Sequence, residues 1–195
     1  MRPKRSYERE VLINSLTNLV NQTAKDEGKK AKLDSSKFKI EEIPHKDRIF
    51  VKDIMIQLLR NSVAHGIELP KERKGKKKPE QAKIKISTFA DKSYYGFILR
   101  DDGRGIQLDK LKQKVAKKMK TTEDDVKNWD KDRIINMIFE QGITTTEEAN
   151  LVSGRGVGLD IVNQKVRSRN GDIKVSFEED KFCEFMISIP QATEE

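Results

Sequence analysis

Apolar residues recur every three or four positions in several stretches of the chain, which is the spacing of one buried helix face. Near the N-terminus Leu12, Leu16 and Val20 follow this spacing, and Gly28 is expected to end the helix. A second stretch begins after Asp47, which can cap a helix, and ends before Gly66. The spacing predicts helices over residues 11–24, 47–64, 108–118, 130–139 and 156–168.

Alternation of apolar and polar residues predicts strands in other segments. Residues 83–86 alternate strictly, and residues 95–99 lead straight into a glycine-rich loop. Two more strands are predicted over 173–177 and 182–189, joined by an acidic turn into an antiparallel hairpin. A further short strand is predicted over 38–43.

The order of these elements predicts the fold class. The strands cluster around two glycine-rich loops with long helices between them, and a regular βαβα alternation is missing. We predict an α/β (α+β) two-layer sandwich with a mixed, largely antiparallel sheet and helices on one face. Residues 1–30 are predicted to form a helix that belongs to or leads into the domain, and residues 31–195 the domain itself. Residues 71–81 are expected to form a charged turn, and 140–153 a mobile connection.

Composition and charge narrow the class of protein. The chain has 195 residues and a net charge of +8. Its lysine-rich runs, 71–78 and 110–120, lack interleaved aromatic residues that could stack on bases, so no specific nucleic-acid partner is predicted. No apolar run approaches the roughly 20 residues of a spanning helix, so no membrane insertion is predicted. Cys183 is the only cysteine, which excludes an intrachain disulfide and favours a cytoplasmic location.

Two glycine-rich loops, residues 101–105 (DDGRG) and 154–158 (GRGVG), carry candidate chemistry. Asp101 follows a predicted strand, where its carboxylate can accept a hydrogen bond from an exocyclic amine of a base. Gly103 and Gly105 would let the backbone approach a flat ring closely. The second loop enters a predicted helix, whose free amide groups and dipole favour an anion. It lacks the lysine and Ser/Thr of a P-loop.

A polar stripe upstream completes the pattern. Gln57, Asn61 and His65 are four residues apart and therefore lie on one face of the predicted helix. The wet side of an amphipathic helix would show the same stripe. However, the amide oxygen of asparagine suits a hard cation such as Mg²⁺ that bridges phosphates. Together with the two loops, the stripe predicts a nucleotide pocket.

These motifs, in this order, resemble the ATP-binding kinase domain of CheA-type chemotaxis histidine kinases, within the superfamily that includes gyrase, MutL and heat-shock chaperone ATPases. The likeness spans about residues 16–190. Residues 58–68 are similar to the family's asparagine box, 101–106 to its first glycine box and 153–160 to its second. Residues 138–145 resemble the entry to its ATP lid.

The resemblance implies a role for each matching residue. Asp101 would read adenine, and Asn61 would hold Mg²⁺. His65, Lys110 and Lys114 would lie near the phosphates, and residues 142–155 would close over the nucleotide. The implied ATP-binding residues are Asn61, His65, Asp101, Gly103, Gly105, Ile106, Lys110, Lys114, Thr144, Ser153, Gly154, Arg155, Gly156, Val157 and Gly158. The implied cofactors are ATP and Mg²⁺.

The chain departs from the family pattern at a few positions. Gln57 stands where the family usually has a histidine that assists phosphotransfer, and glutamine cannot change its protonation near neutral pH. Ala64 replaces a usual acidic residue. In the lid, Gln141 and Ile143 stand in place of a proline and a phenylalanine.

The leading hypothesis is a protein-histidine kinase domain of two-component signalling, which passes the γ-phosphoryl group of ATP to a histidine on a separate domain or chain. A phosphoacceptor helix, a dimerisation hairpin and a receptor-coupling module are not recognisable, so these partners are expected outside the chain. One alternative is a catalytically impaired, nucleotide-binding regulatory module of the same fold, which Gln57 and Ala64 motivate. Others are an ATPase clamp, which would need a glutamate at position 57, and a nucleic-acid binder.

Overall fold

The computed structural model describes residues 4–140, 143 and 158–191, with side chains from residue 7 onward. The helices are α1 (Lys4–Asp26), α2 (Arg48–Asn61), α3 (Pro70–Gly75), α4 (Leu108–Met119), α5 (Glu123–Lys127), α6 (Lys131–Asn136) and α7 (Leu159–Arg167). The strands are β1 (Ala31–Lys37), β2 (Ala82–Ala90), β3 (Tyr94–Asp101), β4 (Asp172–Glu178) and β5 (Phe182–Pro190). A π-helical turn, Ser62–Gly66, continues α2 and is called the π turn below.

The strands form one mixed sheet in the order β1-β2-β3-β5-β4. β1 pairs with β2 in parallel, and the other neighbours are antiparallel. In the centre, Asp101 at the end of β3 lies opposite Cys183 at the start of β5. The predicted fold class, a two-layer sandwich with a largely antiparallel sheet, is confirmed.

One face of the sheet holds the main core. Along β5, every second residue from Cys183 to Ile189 is buried, while the residues between them are partly exposed. This period of two turns one side of the strand to the helices. Helices α1, α2 and α7 supply the other half of the core through Leu16, Leu58 and Val162. Burying each such side chain contributes about 1.5–3 kcal/mol.

A second, smaller core lies within α4, α5, α6 and the residues that follow. Its buried members are Leu111, Val115, Ala116, Val126, Ile134 and Ile143. Ile106 and Ile138 are partly buried and pack against both cores. The two cores therefore meet along a seam that these two isoleucines bridge.

The helix ends follow the expected chemistry in most places. Gly28, with φ of +63°, ends α1 as predicted. The carboxylate of Asp130 accepts a 2.7 Å hydrogen bond from the amide of Arg133 and caps α6. Asp47 precedes α2 but its side chain makes no cap; it accepts a hydrogen bond from Arg169 at 2.9 Å instead.

The predicted strand over residues 38–43 is wrong. Ile40–Glu42 is a 3₁₀ turn, and the first strand is Ala31–Lys37. Phe38, Ile40 and Ile43 are all buried, which an alternating strand cannot achieve but a tight turn over the core can. β1 was not predicted because it lies at the sheet edge and buries only Ala31 and Leu33, which is too few residues for a clear alternation.

Two short helices also depart from the expectations. α3 forms at the start of the predicted charged turn, with Pro70 at its first position, where its missing N–H costs nothing. α5 was not predicted, and Thr122 caps it by accepting a hydrogen bond from the amide of Asp125. Among the described residues, no helix has the length and apolarity needed to cross a membrane.

A buried ion cluster fixes the segment after the π turn. Arg73 is fully buried and contacts the Glu68 carboxylate and the Asp102 carboxylate, each at 3.0 Å. Lys78 contacts Glu68 at 2.8 Å and donates to the carbonyl of Gly103 at 2.7 Å. Burial alone would raise the pKa of Glu68, but Lys78 and Arg73 hold it below its ordinary value. The cluster joins α3 to the glycine loop that follows β3.

We expect Arg73→Met to lower the free energy of unfolding by about 3 kcal/mol or more, because it leaves the buried Glu68 carboxylate with one cation instead of two. The neighbouring Lys74 is exposed, so Lys74→Met is the matched control and should change stability by less than about 0.5 kcal/mol. Urea denaturation followed by circular dichroism measures both. Equal stability of the two variants would contradict a structural role for the cluster.

Candidate functional site

A cleft of about 490 Å³ opens along the seam between the two cores. Its walls come from the end of α2 and the π turn, the loop after β3, the first turns of α4, and the N-terminus of α7. Of the residues predicted from the sequence, those lining it are Asn61, His65, Asp101, Gly105, Ile106, Lys110, Lys114 and Gly158. Segments far apart in the chain therefore converge on one cavity.

Some of the predicted residues do not line the cleft. Gln57 lies one turn before Asn61 on α2, and Gly103 packs against the carbonyl of Gly66; neither is among the wall residues. The remaining predicted residues, Thr144, Ser153, Gly154, Arg155, Gly156 and Val157, lie outside the described residues. So does most of the predicted lid, 142–155, apart from Ile143, which lines the cleft.

Asp101 is a buried residue of the cleft wall. Its side chain is only 1% exposed, and the amide of Gly103 donates a 3.0 Å hydrogen bond to its carboxylate. Burial raises the pKa of Asp101 to about 6. The carboxylate is therefore ionised at neutral pH, but burial makes this ionised form less stable than it is in water. A hydrogen-bond donor on a ligand would stabilise it.

The glycine loop beside Asp101 packs directly on the π turn. The amide of Arg104 donates to the carbonyl of Gly66 at 2.8 Å. A Cβ on Gly103 would lie 2.3 Å from that same carbonyl oxygen, so no larger residue fits. Gly105 has φ of +66°, and a Cβ there would meet the Glu178 carbonyl at 2.4 Å. These glycines therefore bring the loop against its neighbours, and Gly105 also forms part of the wall.

The π turn presents His65 beside Asn61. His65 is exposed toward the cleft, yet its pKa is lowered, chiefly by partial desolvation and then by the charge of Lys29. Arg104 and Lys114 lower it further, and Glu27 opposes them. His65 is accordingly a neutral imidazole at neutral pH, which can donate or accept a hydrogen bond without adding charge.

Cations also line the cleft. Arg104, Lys110 and Lys114 contribute to its wall, as does Gly158, the N-cap residue of α7. A helix N-terminus carries partial positive charge, so this part of the wall favours an anion. The wall therefore combines a buried carboxylate, which can accept a hydrogen bond, with groups that attract negative charge.

Sequence reasoning missed several residues of the wall. Ser62, Cys183 and Phe185 line the cleft, the last two from β5. Burial raises the pKa of the Cys183 thiol far above its ordinary value, so it is neutral. The alternation of β5 marked both as inward-facing, but only the pairing of β5 with β3 brings Cys183 opposite Asp101.

A metal would need partners beyond the protein. Among the described residues, no group of three or more His, Cys, Asp or Glu side chains could hold an ion. Asn61 offers one amide oxygen in the cleft, and Mg²⁺ usually combines one or two protein oxygens with waters and substrate phosphates. The donor set therefore fits a Mg²⁺ ion that arrives with a phosphate ligand.

Comparison with known families decides the class of this cleft. Residues 46–193 match the family described as histidine kinase-, DNA gyrase B-, and HSP90-like ATPase. The match covers well over half of the chain. The chain belongs to this family. The resemblance seen in the sequence is confirmed, and ATP binding is the property that the family implies.

The curated relatives point to the chemotaxis branch. The chain is 30% identical over 184 residues to the chemotaxis protein CheA of Bacillus subtilis, covering 93% of this chain and 27% of that protein. It is 33% identical over 140 residues to CheA of Halobacterium salinarum, covering 72% of this chain and 21% of that protein. The chain thus spans about a quarter of the length of these relatives and corresponds to their ATPase-type catalytic domain.

Solved structures support the fold. The nucleotide-free catalytic domain of the histidine kinase ThkA is similar with a TM-score of 0.51, 18% sequence identity, and coverage of 93% of this chain and 91% of that one. At this identity the likeness shows a shared fold.

We expect Gly103→Ala to lower the free energy of unfolding by about 1–3 kcal/mol, because its methyl group would force the loop away from the π turn. Gly75→Ala is the control, since a Cβ there meets nothing within 4 Å. It should be neutral or stabilise α3 by up to about 1 kcal/mol. Urea denaturation compares the two, and a neutral Gly103→Ala would contradict the close approach.

Proposed function

We propose that the chain binds Mg·ATP in this cleft and passes the γ-phosphoryl group to a histidine on a separate domain or chain. The observation that carries the proposal is the composition of the cleft wall, which combines a buried carboxylate, Asp101, with the cations Arg104, Lys110 and Lys114. An adenine nucleotide carries groups that match both, an exocyclic amine and phosphates.

Recognition of the base would rest on Asp101. Its carboxylate would accept a hydrogen bond from the adenine amine, which relieves the cost of a buried charge. Ile106, Ile138 and Phe185 provide apolar walls for a flat ring. A guanine presents an oxygen at the corresponding position and would leave the carboxylate without a donor.

The phosphates would lie between α4 and the π turn. Lys110 and Lys114 would attract them, and neutral His65 would donate a hydrogen bond. Asn61 would hold Mg²⁺, which neutralises phosphate charge when it is bound with ATP. The protein's part in transfer is then mainly positioning and charge stabilisation, which supply most of the catalysis in phosphoryl transfer.

The acceptor would come from outside the chain. The chain spans about a quarter of its CheA relatives, which supports the proposal that a phosphoacceptor-histidine domain and dimerisation or receptor-coupling modules are separate. Gln57 cannot remove a proton from the acceptor histidine. The acceptor would therefore have to arrive as a neutral imidazole, with one ring nitrogen unprotonated.

A regulatory module that binds nucleotide without transferring phosphate is the second candidate. Gln57 and Ala64 favour it, since both remove side chains that the family usually has. The two functions share the same binding site and differ only in transfer, so transfer must be measured separately from binding.

Isothermal titration should show ATP binding that Mg²⁺ strengthens. Asp101→Asn should weaken ATP binding by about tenfold or more, because an ionised acceptor is lost. In the unaltered chain, affinity should fall as pH drops below about 6, where Asp101 becomes protonated. In the variant the fall over that range should be smaller, because position 101 no longer titrates. Unchanged affinity in Asp101→Asn would place the base elsewhere.

The same variant has a fold control. The pKa of Asp101 in the folded state, about 6, lies above its ordinary value of 3.8. Its contribution to stability is therefore greatest below about pH 4 and is lost as pH rises through 6. Asp101→Asn should remain folded at pH 7.5 and unfold no more easily than the unaltered chain, so lost affinity would report the contact itself.

Gln57→His tests transfer. Incubation with labelled ATP and a candidate phosphoacceptor-histidine domain should show phosphoryl transfer by the unaltered chain. A histidine at position 57 should accelerate it by about tenfold or more, because it adds general acid–base assistance. Gln164→His, at an exposed position of α7, is the control and should change nothing. If both the unaltered chain and Gln57→His bind Mg·ATP and neither transfers phosphate, the regulatory module is favoured.

A further inference from the structure

Lys29 carries an ammonium group that contacts the backbone of the π turn and is not among the residues that line the cleft. Its side chain is only 8% exposed. The ammonium donates to the carbonyl of Val63 at 2.9 Å and to the carbonyl of Ala64. Carbonyls at the end of a helix have no partner within the helix, and a cation there also suits the helix dipole. Lys29 therefore supplies hydrogen bonds to the carbonyl groups at the end of α2.

The backbone that leads out of α1 directs Lys29 to this place. Gly28 adopts a left-handed conformation, and the amide of Lys29 donates to the carbonyl of Ala24 at 2.7 Å. This turn sends Lys29 inward and its neighbour Lys30 outward, where Lys30 pairs with Glu80 at 2.8 Å. Two adjacent lysines thus have opposite environments.

The π turn held by Lys29 is part of the cleft wall. Asn61 precedes the turn, His65 lies within it, and Gly66 ends it. The Gly66 end is also fixed from the glycine loop, through the amide of Arg104 at 2.8 Å. At the other end of the turn, the side chain of Lys29 donates hydrogen bonds to the carbonyls of Val63 and Ala64. The two ends of the π turn therefore have different supports.

The charge of Lys29 also reaches the cleft. Burial lowers its pKa, although the charges of Glu27, Glu72 and Glu68 oppose this. The charged groups that act on His65 are Lys29, Glu27, Arg104 and Lys114, and of these Lys29 has the largest effect. Lys29 thus helps to keep His65 neutral.

We infer that Lys29 is a positioning residue of the nucleotide site: by binding the carbonyls of Val63 and Ala64, it fixes Asn61 and His65 for the metal and phosphates. The inference rests on the proposed function. Lys29 does not line the cleft, and its effect passes through the π turn.

Lys29→Met tests this inference, with Lys30→Met as the matched control. In Lys29→Met, the gain in ATP affinity that Mg²⁺ provides should fall about tenfold. Adenosine, which has no phosphates, should bind within about twofold of its original affinity, because the Arg104 amide still holds Gly66 beside Asp101. Lys30→Met should behave like the unaltered chain in both titrations. Equal Mg²⁺ gains in the two variants would overturn the inference.

A second readout does not depend on nucleotide. The His65 pKa, followed by NMR of the imidazole ring without ligand, should rise in Lys29→Met and stay unchanged in Lys30→Met, because a nearby positive charge is removed. Lys29→Gln, which is neutral but can still donate, covers the case in which the Met variant does not fold. If Lys29→Gln folds and neither the His65 pKa nor the Mg²⁺ gain changes, the inference is wrong.

Failure of the proposed function gives a different result. If the unaltered chain does not bind Mg·ATP, the nucleotide site is wrong whatever Lys29 does. The inference that Lys29 positions this site then fails with it. The NMR titration still reports on the contact by itself: a raised His65 pKa in Lys29→Met supports the placement of the ammonium beside the π turn, and an unchanged pKa contradicts it.

Discussion

The close packing of the π turn against the glycine loop after β3 is the constraint on which the cleft depends. The carbonyl of Gly66 accepts the amide of Arg104 at 2.8 Å, and Gly103 leaves no room for a side chain between them. This contact buries the Asp101 carboxylate and raises its pKa to about 6. A wider gap would admit water, which would donate hydrogen bonds to the carboxylate. The carboxylate would then discriminate less between ligands with and without a donor.

Cations from outside the recognisable motifs hold the motif backbone in place. Arg73 and Lys78 bind the glycine loop through the backbone carbonyls of Asp102 and Gly103, and Lys29 binds the end of α2. In each case a buried or partly buried cation donates to backbone carbonyl groups outside the regular secondary structure. The segments that carry function are irregular because they must face a ligand, so their polar groups need side chains from elsewhere.

The two cores explain why a cleft exists at this place. The main core joins the sheet to α1, α2 and α7, and the smaller one joins α4 to α6. The buried side chains of each core pack mainly against one another. The seam between the two cores is therefore not filled, and it forms the cleft. Ile106 and Ile138 bridge it, and both line the cleft together with Asp101 and the cations. The same cavity therefore has apolar, acidic and basic residues in its wall.

The sequence by itself determined the long elements and the family. Strong periodicity identified α1, α2, α4 and the last hairpin, since each buries one regular face. Periodicity failed at residues 38–43, where a tight turn buries Phe38, Ile40 and Ile43 together, and at the edge strand β1, which buries little.

Motif spacing singled out Asn61, His65 and Asp101, but only the tertiary structure decided that they share a cavity, that Cys183 lies opposite Asp101, and that Lys29 supports the π turn. Those relations depend on contacts between segments far apart in the chain. Local sequence cannot specify them, because periodicity reports which face of an element is buried and not which distant group it meets.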